Sequence, residues 1–426
     1  MAQRRILHAD FNGFYASVAC FLNPEIRGLP VAVAGDPELR HGIILAKNEL
    51  AKKFGVKTGE AIWQARAKCP HLLCVKPDFP SYHKFSDLGR AIYGEYSDRV
   101  EAFGLDENWI DVTNSTKDFD EAERLAEILR LRIKEELGIT VSIGVAENKV
   151  FAKLGSDMKK PDAVTVIRPD QVREKVWPLG VRELLYVGRA TEKKLQRIGV
   201  FTIGDLAKTP ETLLHAQLGK CGIMLHAFAN GQDRSPVLQM GYEPEAKSVG
   251  NGITTPRDLE TDDDVYLTLI MLSESVSARL RDAGTRAKVI SIAVRDKELV
   301  TFSRQKRLSR ASNLTSELAG AAMELFRTHY DWKIPVRSIT VTASDLEHGD
   351  APEQLDLFGD ETRRRRAEQA EAAVDHIRRR FGYHAIGRAI FLTDDQIGTM
   401  NPKEENVVHP VGYLKNGSMM EVIGRT

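Results

Sequence analysis

The chain has 426 residues, 42% hydrophobic and 28% charged, and its 60 basic and 60 acidic side chains cancel. That length allows two to four domains with separate cores, and no apolar run approaches the roughly eighteen residues of a membrane span. Four scattered cysteines without a CxxC pair exclude a disulfide framework or zinc site as the organising element, and zero net charge means that any nucleic-acid binding must come from local segregation of charge.

The N-terminus, Met-Ala-Gln-Arg-Arg-Ile-Leu-His, lacks the apolar core of a signal peptide and reads as the start of a buried strand over Arg5 to Phe11, with a reducing cytoplasm as the natural setting. Val31 to Ala34 and Ile43 to Ala46 are short apolar strands. Ala122, Leu125, Ala126, Leu129 and Ile133 recur at helical spacing, and Gly138 closes that helix. Ile139 to Val145 alternates like a half-buried strand, and a helix over Asn148 to Lys159 ends before Pro161. Residues 178 to 232 read as short helices joined by glycine turns, and Glu243 to Ser248 as an exposed linker. A second α/β unit follows, with helices near Asp263 to Ala283 and Ser316 to Thr328 and strands at Val289 to Val294 and Ile339 to Ser344. Beyond Gly349 the composition turns polar.

Nucleotidyl transfer builds negative charge on the attacking and leaving oxygens, which two Mg²⁺ ions roughly 3.5–4 Å apart stabilise. Hard cations need converging carboxylates on rigid elements. Two segments supply them: His8-Ala9-Asp10-Phe11 at a strand end, where the Phe11 carbonyl adds an oxygen, and Phe103-Gly104-Leu105-Asp106-Glu107-Asn108, which reads as two strands meeting at a tight turn. Strand neighbours face opposite sides, so only the turn brings both acids to one metal pair.

His8-Ala-Asp10-Phe-Asn-Gly-Phe14-Tyr15-Ala-Ser-Val18 and Gly104-Leu-Asp106-Glu107-Asn-Trp-Ile-Asp-Val-Thr113 resemble the two signature motifs of Y-family DNA polymerases, closest to the DinB branch. Lys153-Leu-Gly-Ser-Asp157-Met-Lys-Lys160-Pro161 resembles a third motif. Lys247-Ser-Val-Gly250 with Thr254-Thr-Pro-Arg-Asp-Leu259 resembles the start of the family's little finger. The resemblance implies an α+β multidomain, right-handed polymerase. It would have a ferredoxin-like palm over residues 1–18 and 75–167, small fingers over 19–74, a helical thumb over 168–234, a linker over 235–246, an α/β little finger over 247–348 and a tail over 349–426.

It also implies template-directed, low-fidelity translesion synthesis without proofreading, on primer-template DNA and dNTPs, by a core that is monomeric and not membrane-bound. Asp10, Asp106 and Glu107 would be the catalytic carboxylates and, with Phe11, would hold two Mg²⁺, with Mn²⁺ as a substitute. Phe14, Tyr15, Lys52 and Lys160 would meet the dNTP, Tyr15 as a steric gate against a 2′-hydroxyl. Departures from the family pattern are Glu49 in place of a hydroxyl donor, Lys52 in place of an arginine, Ala19, Asn12 and Gly104.

Leu184-Leu-Tyr-Val-Gly188-Arg189 resembles a helix-hairpin-helix that would cradle a DNA phosphate on Gly188 and Arg189, with Tyr186 where the first hairpin glycine is expected; a plain helix turn is the alternative. Between Arg279 and Arg310 ten basic residues stand against three acidic ones, and Arg304, Lys306 and Arg307 would lie along the duplex backbone. Gln354-Leu355-Asp356-Leu357-Phe358 resembles the peptide with which bacterial polymerases bind the sliding clamp, its β subunit, through Gln354, Leu355, Leu357 and Phe358. The stripe Ala367, Ala370, Val374, Ile377 and Phe381 on the Arg-rich segment beyond it reads as a helix that docks on the core or on a partner, or adds DNA affinity. Two other readings are a non-catalytic family adaptor and a nucleotide cyclase on a similar palm. The first could dispense with its carboxylates, and the second needs no thumb, basic unit or clamp peptide.

Overall fold

The computed structural model describes residues 3–35, 42–242, 244–349 and 361–402, and these fall into two compact units, the first of residues 3–35 and 43–244 and the second of residue 42 with residues 245–402, apart from the gaps. In the first unit the strands are β1 (Ile6–Phe11), β2 (Val31–Ala34), β3 (Ile44–Lys47), β4 (Leu73–Val75), β5 (Val100–Phe103), β6 (Glu107–Asp111), β7 (Val141–Ala146) and β8 (Val164–Val166). They form a five-stranded sheet, β5-β6-β1-β7-β8, and a smaller one, β3-β2-β4.

β1 lies between β6 and β7, antiparallel to both, and all six of its residues are buried. Alternation explains how. Leu7, Ala9 and Phe11 join the core beneath the helices Phe79–Gly94 and Phe119–Leu137, whereas Ile6 belongs to the core that contains Val150, Phe151 and Leu154 of the helix Lys149–Met158. β7 is buried along its whole length as well. The half-buried strand expected from its alternation is therefore corrected, because its polar face is also covered: Ser142 is sealed in and accepts a hydrogen bond from Asn12 Nδ2 at 2.9 Å. The Phe119–Leu137 helix has the predicted apolar stripe and ends on Gly138 in the left-handed region.

Four short helices, Arg189–Gln196, Ile203–Lys208, Glu211–Leu218 and Lys220–Ala229, pack Leu195, Ile203, Leu206, Leu214, Leu225 and Phe228 into the same core as Ile6 and Trp109. The segment that follows returns to the main sheet. Arg4 donates to the Ser235 carbonyl at 2.7 Å, Leu238 N–H to Glu101 at 2.9 Å, and Met240 N–H to the Asp98 carbonyl at 2.9 Å. Beneath it the buried Lys149 amine donates to both Glu101 oxygens at 2.6 Å and lies 4.4 Å above the Trp109 ring.

The second unit is an antiparallel sheet, β11-β10-β12-β9, of β9 (Ser248–Leu259), β10 (Thr285–Asp296), β11 (Thr301–Ser312) and β12 (Val336–His348). The helices Asp262–Asp282 and Thr315–His329 contribute Leu272, Val276, Leu318 and Phe326 to a core shared with Ile290, Ile292, Val294, Ile339, Val341 and Ala343. The two strands not predicted, β9 and β11, are the edges. The first carries Gly250, Gly252 and Pro256 and the second is nearly all polar, so neither shows an apolar period.

The Arg-rich segment forms the helix Glu361–Phe381 and docks on this unit. Ion pairs accompany the apolar stripe at the seam: Arg281 reaches Glu371 and Asp375 at 2.5 and 2.6 Å, Arg310 reaches Glu361 at 2.5 Å, and Arg378 reaches the buried Glu274 at 3.0 Å. Ala367, Ala370 and Val374 line the seam, but Phe381 is 65% exposed. Among the described residues no helix is long and apolar enough to cross a membrane. The segment Gln354, Leu355, Leu357 and Phe358 lies outside the described residues.

Candidate active site

The two predicted acidic segments meet on neighbouring strands. Asp10 and Glu107 are Cα partners in the β1–β6 ladder. β5 and β6 form a hairpin closed by Phe103↔Glu107, with Gly104, Leu105 and Asp106 as its loop. Gly104 takes φ +79°, a conformation that costs glycine nothing. Asp106 is thus off the strand pleat, and this local turn brings it to the same side as Glu107. Two bonds fix the loop. Its Asp106 carbonyl accepts from Phe11 N–H at 3.1 Å, and its Leu105 carbonyl accepts from the Ser86 hydroxyl.

One cleft of about 340 Å³ is lined by Asp10, Phe11, Gly13, Phe14, Tyr15, Leu45, Ala46, Lys47, Thr58, Asp106, Glu107 and Lys160. All three carboxylates, both aromatics of the first motif and Lys160 therefore line a single cleft. The Tyr15 ring stacks on Tyr82 at 4.2 Å and meets Phe79 edge-on at 6.0 Å, which leaves it little freedom to turn. Gly13, at φ +53°, lets the Lys47 carbonyl come so near that an added Cβ would lie 2.8 Å from it. That close approach brings β3 against the start of the helix Phe14–Leu22.

The charges of the cleft are unequally compensated. Burial pushes the Asp106 carboxyl up to about 7, with the negative charges of Asp10 and Glu107 adding to the effect. Burial and Glu107 also raise Asp10, against the pull of Lys160, whose Nζ is 2.6 Å from Asp10 Oδ2 and 2.8 Å from Asp157. Glu107 is partly buried too, yet His8 and Lys153 outweigh that and hold it below the usual carboxylate range.

Among the described residues no three acidic, histidine or cysteine side chains enclose an ion as arranged, since Lys160 and Lys153 engage Asp10 and Glu107. The donor set nevertheless fits a hard divalent cation: two carboxylates paired on adjacent strands and a third on the adjoining loop, which burial, with its two negative neighbours adding, pushes up to about 7.

The fingers position differs from the expectation. Lys52 is half exposed and pairs with Glu49 at 3.3 Å, and neither lines the cleft. From this segment it is Lys47 that lines the cleft, its amine donating to Thr58 Oγ1 at 3.1 Å. Glu49 thereby carries its own counter-ion. Asn12 is a buried structural link: besides its bond to Ser142, it accepts from Asp162 N–H at 2.8 Å. The sequence reading missed Lys47, Lys153 and His8 as parts of the site. For Lys153 and Ser156 the signal was there, three residues apart on one helix face.

Elsewhere in this unit, Gly188 caps the helix Arg189–Gln196 and has no side chain over its first N–H groups, and Tyr186, where a glycine was expected, takes φ +69°. In the second unit the basic stretch divides. Phe302 packs on the core, Arg304 lies 5.6 Å over its ring, and Lys306 pairs with Glu324 of the helix Thr315–His329, so alternate residues of β11 face the helices. Arg307 points the other way and pairs with Asp345 at 3.0 Å. Arg281, Arg286 and Arg310, counted as free positive charge, pair with acids of the tail helix. The open face of the sheet instead carries Thr340, Thr342 and Ser291 beside Gly250 and Gly252, where added Cβ atoms would strike Thr342 and Thr340.

Comparison with known proteins agrees with this architecture. Residues 9–157 match the impB/mucB/samB family, residues 246–357 its C-terminal domain, and residues 183–233 the thumb domain described for DNA polymerase-iota. DNA polymerase IV of Acetivibrio thermocellus is 50% identical over 392 residues, covering 92% of this chain and 98% of the relative. DNA polymerase IV of Pelotomaculum thermopropionicum is 40% identical over 91% of this chain and 95% of its own. DNA polymerase IV 2 of Bacillus subtilis is 36% identical, covering 92% and 96%. A solved Y-family polymerase chimera of Dbh and Dpo4 superposes with a TM-score of 0.71 at 25% identity, covering 80% of this chain and 98% of the chimera. Such polymerases bind DNA and depend on divalent metal. The chain belongs to the Y family of DNA polymerases and is a DNA-directed translesion polymerase of the polymerase IV type.

Proposed function

We propose that Asp10, Asp106 and Glu107, with the Phe11 carbonyl, hold two Mg²⁺ ions, which Mn²⁺ can replace. The observation that carries this reading is the direct β1–β6 pairing of Asp10 with Glu107, with Asp106 on the adjoining loop of the same cleft. When bound, the ions supply Lewis-acid stabilisation of the charge that grows as a primer 3′-hydroxyl attacks the α-phosphorus of a dNTP and pyrophosphate leaves.

The protein's own groups orient that reaction. Lys160 stands where a triphosphate would replace Asp10 as its partner, and Lys47 offers a second cation to the same cleft. Tyr15, braced by Tyr82, closes the sugar side against a 2′-hydroxyl. Phe14 backs it, its ring stacked on Phe11 at 5.2 Å. Lys52 would reach nucleotide only by releasing Glu49.

For the DNA, the open Thr/Ser/Gly face of the second sheet and Arg307 form a surface smooth enough for a phosphate backbone, and the N–H groups behind Gly188 and Arg189 form another phosphate site. The clamp β subunit would take the segment Gln354 to Phe358, and the four free cysteines suit a cytoplasmic setting. Domain limits are proposed as palm at 1–18 and 75–167, fingers at 19–74, thumb at 168–234 and little finger at 247–348.

Primer extension with Mg²⁺ and dNTPs tests the site. Asp106→Ala should lose several kcal/mol of transition-state stabilisation, on the order of a thousandfold in rate. Equal extension by both proteins would reject the assignment, and extension by neither would favour the adaptor.

A further inference from the structure

His8 lies two residues before Asp10 on β1, on the same face of the strand, and its side chain is fully buried. A buried imidazole needs partners for both nitrogens. Nδ1 is 2.8 Å from the Ser156 hydroxyl. Nε2 lies 3.1 Å from Glu107 Oε2 and has no other partner among the described residues. The ring is fixed in this direction by Trp109, whose centroid is 5.2 Å away.

Ser156 reaches His8 because of a glycine. His8 pairs with Gly144 across the β1–β7 ladder, and a Cβ at Gly144 would lie 1.9 Å from the Ala152 carbonyl and 2.5 Å from Ser156 N. Only without that side chain can the helix Lys149–Met158 press onto the sheet at the level of His8.

The hydrogen-bond polarity follows from the partners. A neutral ring carries one proton. If Nδ1 held it, the Nε2 lone pair would face a carboxylate oxygen across 3.1 Å, which is repulsive. The proton therefore belongs on Nε2, and Ser156 donates to Nδ1, giving up its alternative bond to the Lys153 carbonyl. Lys153 also contacts Glu107 Oε2, so both donors converge on one oxygen, and Oε1 is the oxygen that neither of them engages. Lys153 is a flexible, partly exposed arm, whereas the histidine is a fixed ring.

Resting on the reading that Glu107 is a metal ligand, we propose that His8, with its tautomer set by Ser156, is a positioning residue that fixes the Glu107 carboxylate so that one oxygen is presented to the cation. A carboxylate left to rotate would lose that rotational freedom each time metal binds, which is why partners behind ligands commonly change metal affinity by about 10- to 100-fold.

The test measures metal binding directly. The full chain is assembled with a primer-template ending in a dideoxynucleotide and the matching dNTP, and Mn²⁺ is titrated while free ion is followed by electron paramagnetic resonance. His8→Leu, which keeps the packing on Trp109 but has no donor, should bind Mn²⁺ about tenfold more weakly. His8→Gln, whose amide N–H reaches toward the same oxygen, should return to within about threefold of the unaltered protein. Unchanged affinity in His8→Leu overturns the proposal, and so does equal weakening in both variants, which would make the ring mere packing. Should His8→Leu not fold, Ser156→Ala decides: weaker Mn²⁺ binding supports the proposal and unchanged binding overturns it. Asp106→Asn separates the two readings. If it binds Mn²⁺ like the unaltered protein, the metal-site reading falls and this proposal with it; if it binds weakly while His8→Leu does not, only the role of His8 falls.

Discussion

Asp10 and Glu107 sit opposite each other across the β1–β6 ladder, and Asp106, one residue before Glu107, is held beside them by the Phe11 N–H bond to its carbonyl. Three carboxylates so close share a common electrostatic problem, and Asp106 bears most of it.

With burial and two neighbouring acids, Asp106 titrates near 7. A divalent cation and this proton compete for one carboxylate. Below that pH the metal-free protein keeps the proton, so Mg²⁺ affinity should fall as pH drops through 7. Raising Mg²⁺ should shift the acidic limb of the extension rate to lower pH. Rates measured from pH 5.5 to 8.5 at two Mg²⁺ concentrations check this; a limb that stays in place at both concentrations contradicts it.

Tyr15 is clamped by Tyr82 and Phe79. Tyr15→Ala should open room for a 2′-hydroxyl and reduce discrimination against ribonucleotides by about 1–3 kcal/mol or more, with little change in dNTP incorporation. Single-nucleotide kcat/KM for dCTP and CTP opposite G gives the ratio. Tyr82→Ala, which removes only the brace, should show a smaller change in the same direction.

The Lys149–Glu101 pair is buried on both sides and ties the segment after the thumb helices to the main sheet. Removing one partner leaves a buried charge, so Glu101→Leu should cost about 3–5 kcal/mol, and the double change Glu101→Leu with Lys149→Met much less. Urea unfolding of the four proteins in the thermodynamic cycle measures both effects.

Arg281 holds Glu371 and Asp375 of the tail helix, at 2.5 and 2.6 Å. Arg281→Ala should release the helix Glu361–Phe381, at a cost of about 3 kcal/mol, and leave most of the sheet of the second unit intact. Limited trypsin digestion should then cut within the exposed arginines of the helix well before the sheet. Equal resistance to that of the unaltered chain would show that other contacts suffice.

How much of this was legible in the chain depends on how local the signal is. Leu125, Leu129, Ile133 and Gly138 spell out a helix and its end, and the turn-forming Gly104-Leu105-Asp106 between two apolar runs spells out a hairpin; both formed as read. The acids of the cleft were legible because a carboxylate at a strand end and a pair at a turn form short patterns. The edge strands β9 and β11 were not legible, since an edge strand is stabilised by its neighbour and needs no apolar period of its own.

By itself, then, the sequence determined the central elements through periodicity and turn residues, while the three carboxylates and Tyr15 were singled out by the resemblance of their motifs to the family. Only the tertiary structure decided which cations serve them. It put Lys47 rather than Lys52 on the cleft wall, turned Lys153 and His8 onto Glu107, and matched Arg281 and Arg310 with the acids of a helix far along the chain. A charge carries no periodicity that names its partner. The choice is made by distance after folding, when burial strips away water and each ion must find its counterpart among the groups the backbone has brought near.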